Sequence, residues 1–280
     1  MAQISVTGGH GARSMRAQGG EWFERLARLG FLAKGAVYVL VGALAAAAAA
    51  GSGAAQGSEG ALQSLLSEPF GRVILGLIAL GLAGYATWRF ASAILNPEHD
   101  GTAKRIFHFG TGVVHTGLAL ASARMALSGR GGGGDSDQRA VHWTAEVMAR
   151  PLGGIAVALA GALVAGYGLQ QLYRGFTADL DDQLDLGRLR PGRARWVVTI
   201  ARTGLAARGV VFALIGVFLI IAAVQSDPAE ARGLGGALRT LEQQPYGPWL
   251  LALVALGLIA YGIYQLVRAR YRRIDTPAVA

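Results

Sequence analysis

Apolar and polar stretches alternate along the chain, with apolar runs at about 29–50, 70–95, 106–127, 152–173, 205–224 and 247–267. Each is close to the roughly 20 residues that a helix needs to cross a hydrocarbon layer about 30 Å thick. Backbone polar groups cannot be left unpaired in lipid, so each run predicts a membrane-spanning helix rather than an irregular crossing. The second half of the first run is nearly all alanine, which is only marginally apolar, yet no charge interrupts that half. Polar, glycine-rich connections follow the odd-numbered runs: GSGAAQGSEG from Gly51, SGRGGGGDSDQ from Ser128 and QSDPAEARGLGG from Gln225. Leu62, Leu65 and Leu66, and likewise Leu234, Leu238 and Leu241, fall on one helical face, which predicts short amphipathic helices lying along the membrane surface.

The runs are related in pairs. RLGFLAKGAVYVLVG from Arg25 returns, edited, as IFHFGTGVVHTGLALAS from Ile106 and IARTGLAARGVVFALIG from Ile200. The even-numbered runs open on Pro69, Pro151 and Pro245, within EPFG, RPLG and QPYG. A tyrosine stands sixteen positions after each proline, at Tyr85, Tyr167 and Tyr261. Proline suits a helix's first turn, where its missing N–H would have no partner, so the prolines are expected there. The predicted fold is all-α: a six-transmembrane-helix bundle of three tandem two-helix hairpins with pseudo-threefold internal symmetry about the membrane normal. The repeats are expected over 25–99, 100–178 and 196–270. Residues 1–24 read as a disordered or interfacial tail, 179–195 as a linker and 271–280 as a second tail.

Composition supports a membrane class: 15% of the residues are charged, against about a quarter in soluble domains. The 42 glycines let helix backbones approach closely where apolar burial gives no drive for association. With no cysteine, disulfides and thiolate-bound metals are excluded within the chain. The net charge of +9 is distributed by side and not as a nucleic-acid patch, so no nucleic-acid partner is expected and membrane lipids are. Of the 26 Lys and Arg residues, 19 fall on the side of the N-terminus and 7 on the other. That bias predicts an inner-membrane protein with both termini in the cytoplasm. The acidic cluster Asp179, Asp181, Asp182 and Asp185 lacks the glycine and twelfth-position acid of a calcium loop. None of the 17 acidic residues lies in an apolar run, and no catalytic triad, HExxH or nucleotide fingerprint is present. The expectation is therefore no enzyme, no metal and no cofactor.

Two groups of residues are candidates for a site. Aligning Gly30, Gly110 and Gly204 puts Arg28, His108 and Arg202 at one repeat position and Lys34, Val114 and Arg208 at another, with His115 one step beyond. Arg28, Lys34, His108, His115, Arg202 and Arg208 read either as orientation anchors that snorkel to the surface or as a cluster holding an anionic lipid headgroup or solute. His108 and His115 lie on one face about 10.5 Å apart along the axis, too far to share a metal. Tyr85, Tyr167, Gln170, Gln171, Tyr261 and Gln265 read either as an interfacial belt or as a polar seam hydrogen-bonding between hairpins.

The repeated units, above all RLGFLAKGAVYVLVG with PFGRVILGLIALGLAGYATWR and ARTGLAARGVVFALIG with PYGPWLLALVALGLIAYGIYQ, resemble a bacterial membrane family catalogued as domain of unknown function 1206. The resemblance implies three tandem two-helix units over about 25–270 and implies no activity. The middle unit departs from the pattern, with His108 and Val114 where the others carry basic residues. The function expected is a non-enzymatic structural or interaction protein that recognises anionic lipid at its basic face; the alternative is a small channel or uniporter along the pseudo-threefold axis.

Overall fold

The computed structural model describes residues 9–96, 101–131, 136–177 and 191–271. All regular structure among them is helical: α1 (Gly9–Ala49), α2 (Ser58–Ser64), α3 (Gly71–Leu95), α4 (Thr102–Ser128), α5 (Ser136–Met148), α6 (Gly153–Thr177), α7 (Pro191–Gln225), α8 (Leu234–Glu242) and α9 (Gly247–Tyr271), with 3-10 turns at Leu65–Ser67 and Pro228–Glu230. Six of these, α1, α3, α4, α6, α7 and α9, are long and apolar enough to cross a membrane. They are the six predicted spans. Two boundaries differ from the sequence reading. α1 begins at Gly9, so most of the expected tail is helical: its Ala, Arg, Met and Gln residues extend an existing helix at little cost once nucleation is done. α7 begins at Pro191, which absorbs the end of the expected linker into a first turn that tolerates proline. The acidic cluster from Asp179 to Asp185 lies outside the described residues.

The three repeated prolines do not sit in the helices. Each occupies the second position of a tight turn that precedes one. Gly71 N–H donates to Glu68 C=O (2.9 Å), Gly153 to Arg150 (2.9 Å) and Gly247 to Gln244 (2.7 Å). The third residue of each turn is left-handed: Phe70 (φ 59°), Leu152 (φ 62°) and Tyr246 (φ 61°). This is the type II arrangement, in which proline pre-sets the second residue and the third must take positive φ. A non-glycine residue there costs about 1–2 kcal/mol. The fourth residue is glycine of necessity, because a Cβ at Gly71, Gly153 or Gly247 would overlap the carbonyl oxygen of Leu65, Val147 or Glu242.

The long helices form an incomplete ring. Contacts between repeats are the most extensive: α6 with α7, α1 with α9, and α3 with α4. Glycine permits them, since Gly161 and Gly168 on α6 meet the backbone of α7 at Gly216 and Gly209, and Gly35 meets α9 at Gly262. Within the first and third repeats the hairpin partners also pack, α1 on α3 and α7 on α9. In the middle repeat α4 and α6 do not pack along their lengths. The ring therefore runs α4–α3–α1–α9–α7–α6 and stays open between its ends.

Beyond the ring, the end where α1, α4 and α7 finish is covered by α2, α5 and α8. Leu62 and Leu238 are fully buried there, in one cluster with Val41, Leu75, Leu251 and Leu258. The short helices are thus plugs as well as surface elements. Asp137 of α5 accepts from Gly233 N–H (2.8 Å) and Gly236 N–H (3.0 Å) at the start of α8 and pairs with Arg239. Arg139 pairs with Glu59 of α2. A carboxylate at a helix N-terminus meets both unpaired donors and the positive end of the dipole, so one side chain joins the second connection to the third.

Candidate functional site

At the other, basic end a cavity of about 690 Å³ lies inside the open side of the ring. Its lining includes Lys34 of α1, Arg89 of α3, Lys104 of α4, Arg174 of α6, Arg208 of α7 and Arg268 of α9. Each long helix thus contributes one cation, and no carboxylate is found among the described residues of the lining. Its size falls within the roughly 300–1,000 Å³ of small-molecule sites.

The tyrosines predicted by register gather around the two deepest cations. Lys34 is 4% exposed and Arg208 6%, so snorkelling to water does not account for either. Lys34 Nζ donates to Tyr85 Oη (3.3 Å), to which Arg89 Nε (3.0 Å) and Nη2 (2.9 Å) also donate. Arg208 Nη1 donates to Tyr167 Oη (2.7 Å) and its Nε to Tyr38 Oη (3.1 Å). Tyr261 lies between them, its ring centroid 5.9 Å from Lys34 Nζ and 5.0 Å from Arg208 Cζ. Rings also face Arg89 (Trp88, 4.5 Å) and Arg268 (Phe31, 4.6 Å). Each such contact supplies about 0.5–2 kcal/mol. That is less than a buried charge needs, since the effective desolvation penalty is several kcal/mol per ion. Two donors beside the cavity, Nε2 of the fully buried Gln265 and Nε of Arg268, have no acceptor among the described residues.

The expected basic cluster is therefore partly assembled. Lys34, His108 and Arg208 line the cavity, and His108 Nδ1 is 2.6 Å from Arg89 Nη1. His115 stands beside them, its ring 4.6 Å from that of Tyr85 and its Nδ1 2.8 Å from Thr111 O. Arg28 does not join: it binds Glu24 and donates to the carbonyls of Ala269 (2.6 Å) and Arg270 (2.9 Å), where the last carbonyls of α9 lack helical partners. Arg202 is exposed on α7 and outside the lining. Of the expected seam, Tyr167, Tyr261, Gln170 and Gln171 line the cavity and Tyr85 binds two of its cations, whereas Gln265 accepts from Arg268 of its own helix (3.2 Å) and bridges no hairpins among the described residues. Sequence reasoning missed Arg89, Lys104, Arg174 and Arg268 as lining. A signal existed for two of them: Arg174 and Arg268 each lie seven residues, two helical turns, beyond a repeat tyrosine and so on its face. Among the described residues no three His, Asp or Glu side chains come together as a metal site.

Six apolar helices in three like pairs, with cations and tyrosines gathered at one end, define a multi-pass membrane protein built by internal repetition. The family described as Domain of Unknown Function (DUF1206) matches the chain three times, over residues 29–96, 107–178 and 203–272, and the chain belongs to that family. Each match takes in one pair of long helices. The Uncharacterized protein YxxB of Bacillus subtilis (strain 168) is 37% identical over 258 residues, covering 90% of this chain and 92% of the relative. No solved structure matches the chain.

Proposed function

We propose that this is a non-catalytic membrane protein that binds a phosphate-bearing anion in the basic cavity, with the basic end and both termini facing the cytoplasm of a bacterial cell. The observation that carries the reading is the burial of Lys34 and Arg208 with tyrosine hydroxyls and rings as partners and no carboxylate among the described residues of the lining. Like charges held near one another in a poorly solvated site are costly, and an anion between them turns that cost into binding energy. Phosphate suits the donors available, since guanidinium groups bind phosphate oxygens in pairs and an ammonium adds a compact charge. The 19 to 7 distribution of basic residues supports the orientation. A conducting path along the axis is disfavoured by the buried cluster of Val41, Leu62, Leu75, Leu238 and Leu258, which lies between the cavity and the opposite end.

Thermal unfolding of the detergent-solubilised protein tests the reading. Inorganic phosphate or phosphatidic acid is expected to raise the Tm of the wild type, because a ligand that binds only the folded state stabilises it. Lys34→Met and Arg208→Met should each remove that shift while leaving the unliganded protein as stable or more so, by up to about 1–4 kcal/mol. A wild type whose Tm responds to neither probe would end the proposal.

A further inference from the structure

The cavity has an unusual position for a soluble ligand's site: it lies along the one unpacked seam of the ring. In the first repeat, Gly84 packs on the backbone of Leu26, and Gly30 packs on Tyr85. Their counterparts in the middle repeat, Gly166 and Gly110, face open space. Apolar side chains are left uncovered: Leu163 is 74% exposed, and Val113, at the α4 position equivalent to Ala33 of the first hairpin, is 52% exposed. Leu163 also belongs to the cavity lining, near the middle of α6, so the lining runs from cations at the basic end to bare hydrocarbon at mid-span. Across the opening near the basic end, Phe107 of α4 stacks on Tyr167 of α6 with centroids 4.5 Å apart, and Tyr167 in turn holds Arg208.

We infer that the anion is the headgroup of a phosphate-bearing lipid that reaches the cations sideways, between α4 and α6, while its acyl chains stay in the bilayer against Leu163 and Val113. The inference rests on the anion-binding reading above and adds the chemical class of the ligand and its route. Charge complementarity selects the headgroup, since six cations and no acid stand among the described residues of the lining. The lateral opening selects an amphiphile, since a free ion needs no apolar doorway. Phe107 is then a side-chain leaf at the entrance, displaced as the headgroup passes.

Native mass spectrometry of the full-length protein in detergent micelles can decide the matter, with phosphatidic acid as the lipid probe and glycerol 3-phosphate as the same headgroup without chains. Phosphatidic acid should be retained, and a roughly hundredfold excess of glycerol 3-phosphate should not displace it. Leu163→Trp fills the opening without touching a cation, and should weaken lipid retention roughly tenfold. Val113→Trp narrows the opening from the facing helix and should act alike, which guards against a local folding defect in either variant. Displacement by glycerol 3-phosphate at comparable concentrations would overturn the lipid inference and leave the anion reading standing. Full retention of lipid by both tryptophan variants would overturn the lateral route. Retention equal in wild type and in the Lys34→Met and Arg208→Met variants would remove both readings together.

Discussion

The first and third repeats differ from the second at one crossing point, and the difference accounts for the opening. Four residues before each repeat tyrosine stand Gly81, Leu163 and Gly257; three residues after each aligned glycine of the odd helices stand Ala33, Val113 and Ala207. In the flanking repeats these positions meet. A Cβ at Gly81 would press on the side chain of Ala33, and one at Gly257 on that of Ala207. Helices in lipid associate through such small-residue contacts, because packing and not water exclusion holds them. The middle repeat replaces the Gly–Ala pair with Leu163 and Val113, both of which are exposed. The small-residue contact is lost there, α4 and α6 do not pack along their lengths, and the cavity lies in the space. A threefold repeat thus acquires an opening on one side by losing one contact.

The comparison can be broken or sharpened by substitution. The largest effect is expected at the turn glycines, which all three repeats share. Gly71→Ala, Gly153→Ala and Gly247→Ala should each cost about 3 kcal/mol or more, or abolish folding, and should do so alike in the middle and flanking repeats. Thermal unfolding in detergent would read this out; a middle repeat that tolerated the change would mean that its turn is not equivalent. Next come Gly81→Leu and Gly257→Leu, which write the middle sequence into the flanking hairpins. Overpacking there should cost about 1–3 kcal/mol and loosen α1 from α3 or α7 from α9. The smallest change in stability belongs to the reverse experiment. Leu163→Gly with Val113→Ala should cost only about 1 kcal/mol of helix propensity, yet draw α4 and α6 together and shrink the cavity. Spin labels on single cysteines introduced into α4 and α6 would report a shortened distance, and the natural chain has no cysteine to interfere. An unchanged distance would show that the crossing residues do not set the gap.

Much of this molecule is legible in its sequence, and the rest is hidden for a definite reason. Span number, repeat register and pairing follow from hydropathy and from the recurring PxG and tyrosine positions, because those depend on one dimension only. The middle repeat's departure is visible too, at His108 and Val114 and, less conspicuously, at Leu163 and Val113. Which basic residues converge is not. Arg28 and Lys34 are six residues apart on one helix and both cationic, yet one clamps the end of α9 and the other is buried beside Tyr85. An anchor and a cavity-lining cation come from the same pair of residue types at similar depth, and only the rotation of the helix about its axis separates them. The role of the prolines was misread on similar grounds. A proline ahead of a helix fits the helix's first turn and a preceding type II turn equally well, until the backbone shows the next residue with positive φ.

The strained turns carry a consequence for how the molecule rides in its bilayer. Phe70, Leu152 and Tyr246 are 82%, 76% and 81% exposed, one per repeat, all at the end away from the cations. They form a tripod of bulky feet planted around the circumference at a common level. Tyr246 is of the kind that favours the interfacial zone, while Phe70 and Leu152 seek the edge of the hydrocarbon, so three of them resist tipping in every direction where one would permit a lean. Thinner or thicker lipid would then be met by a change in the surrounding bilayer rather than by tilt of the protein.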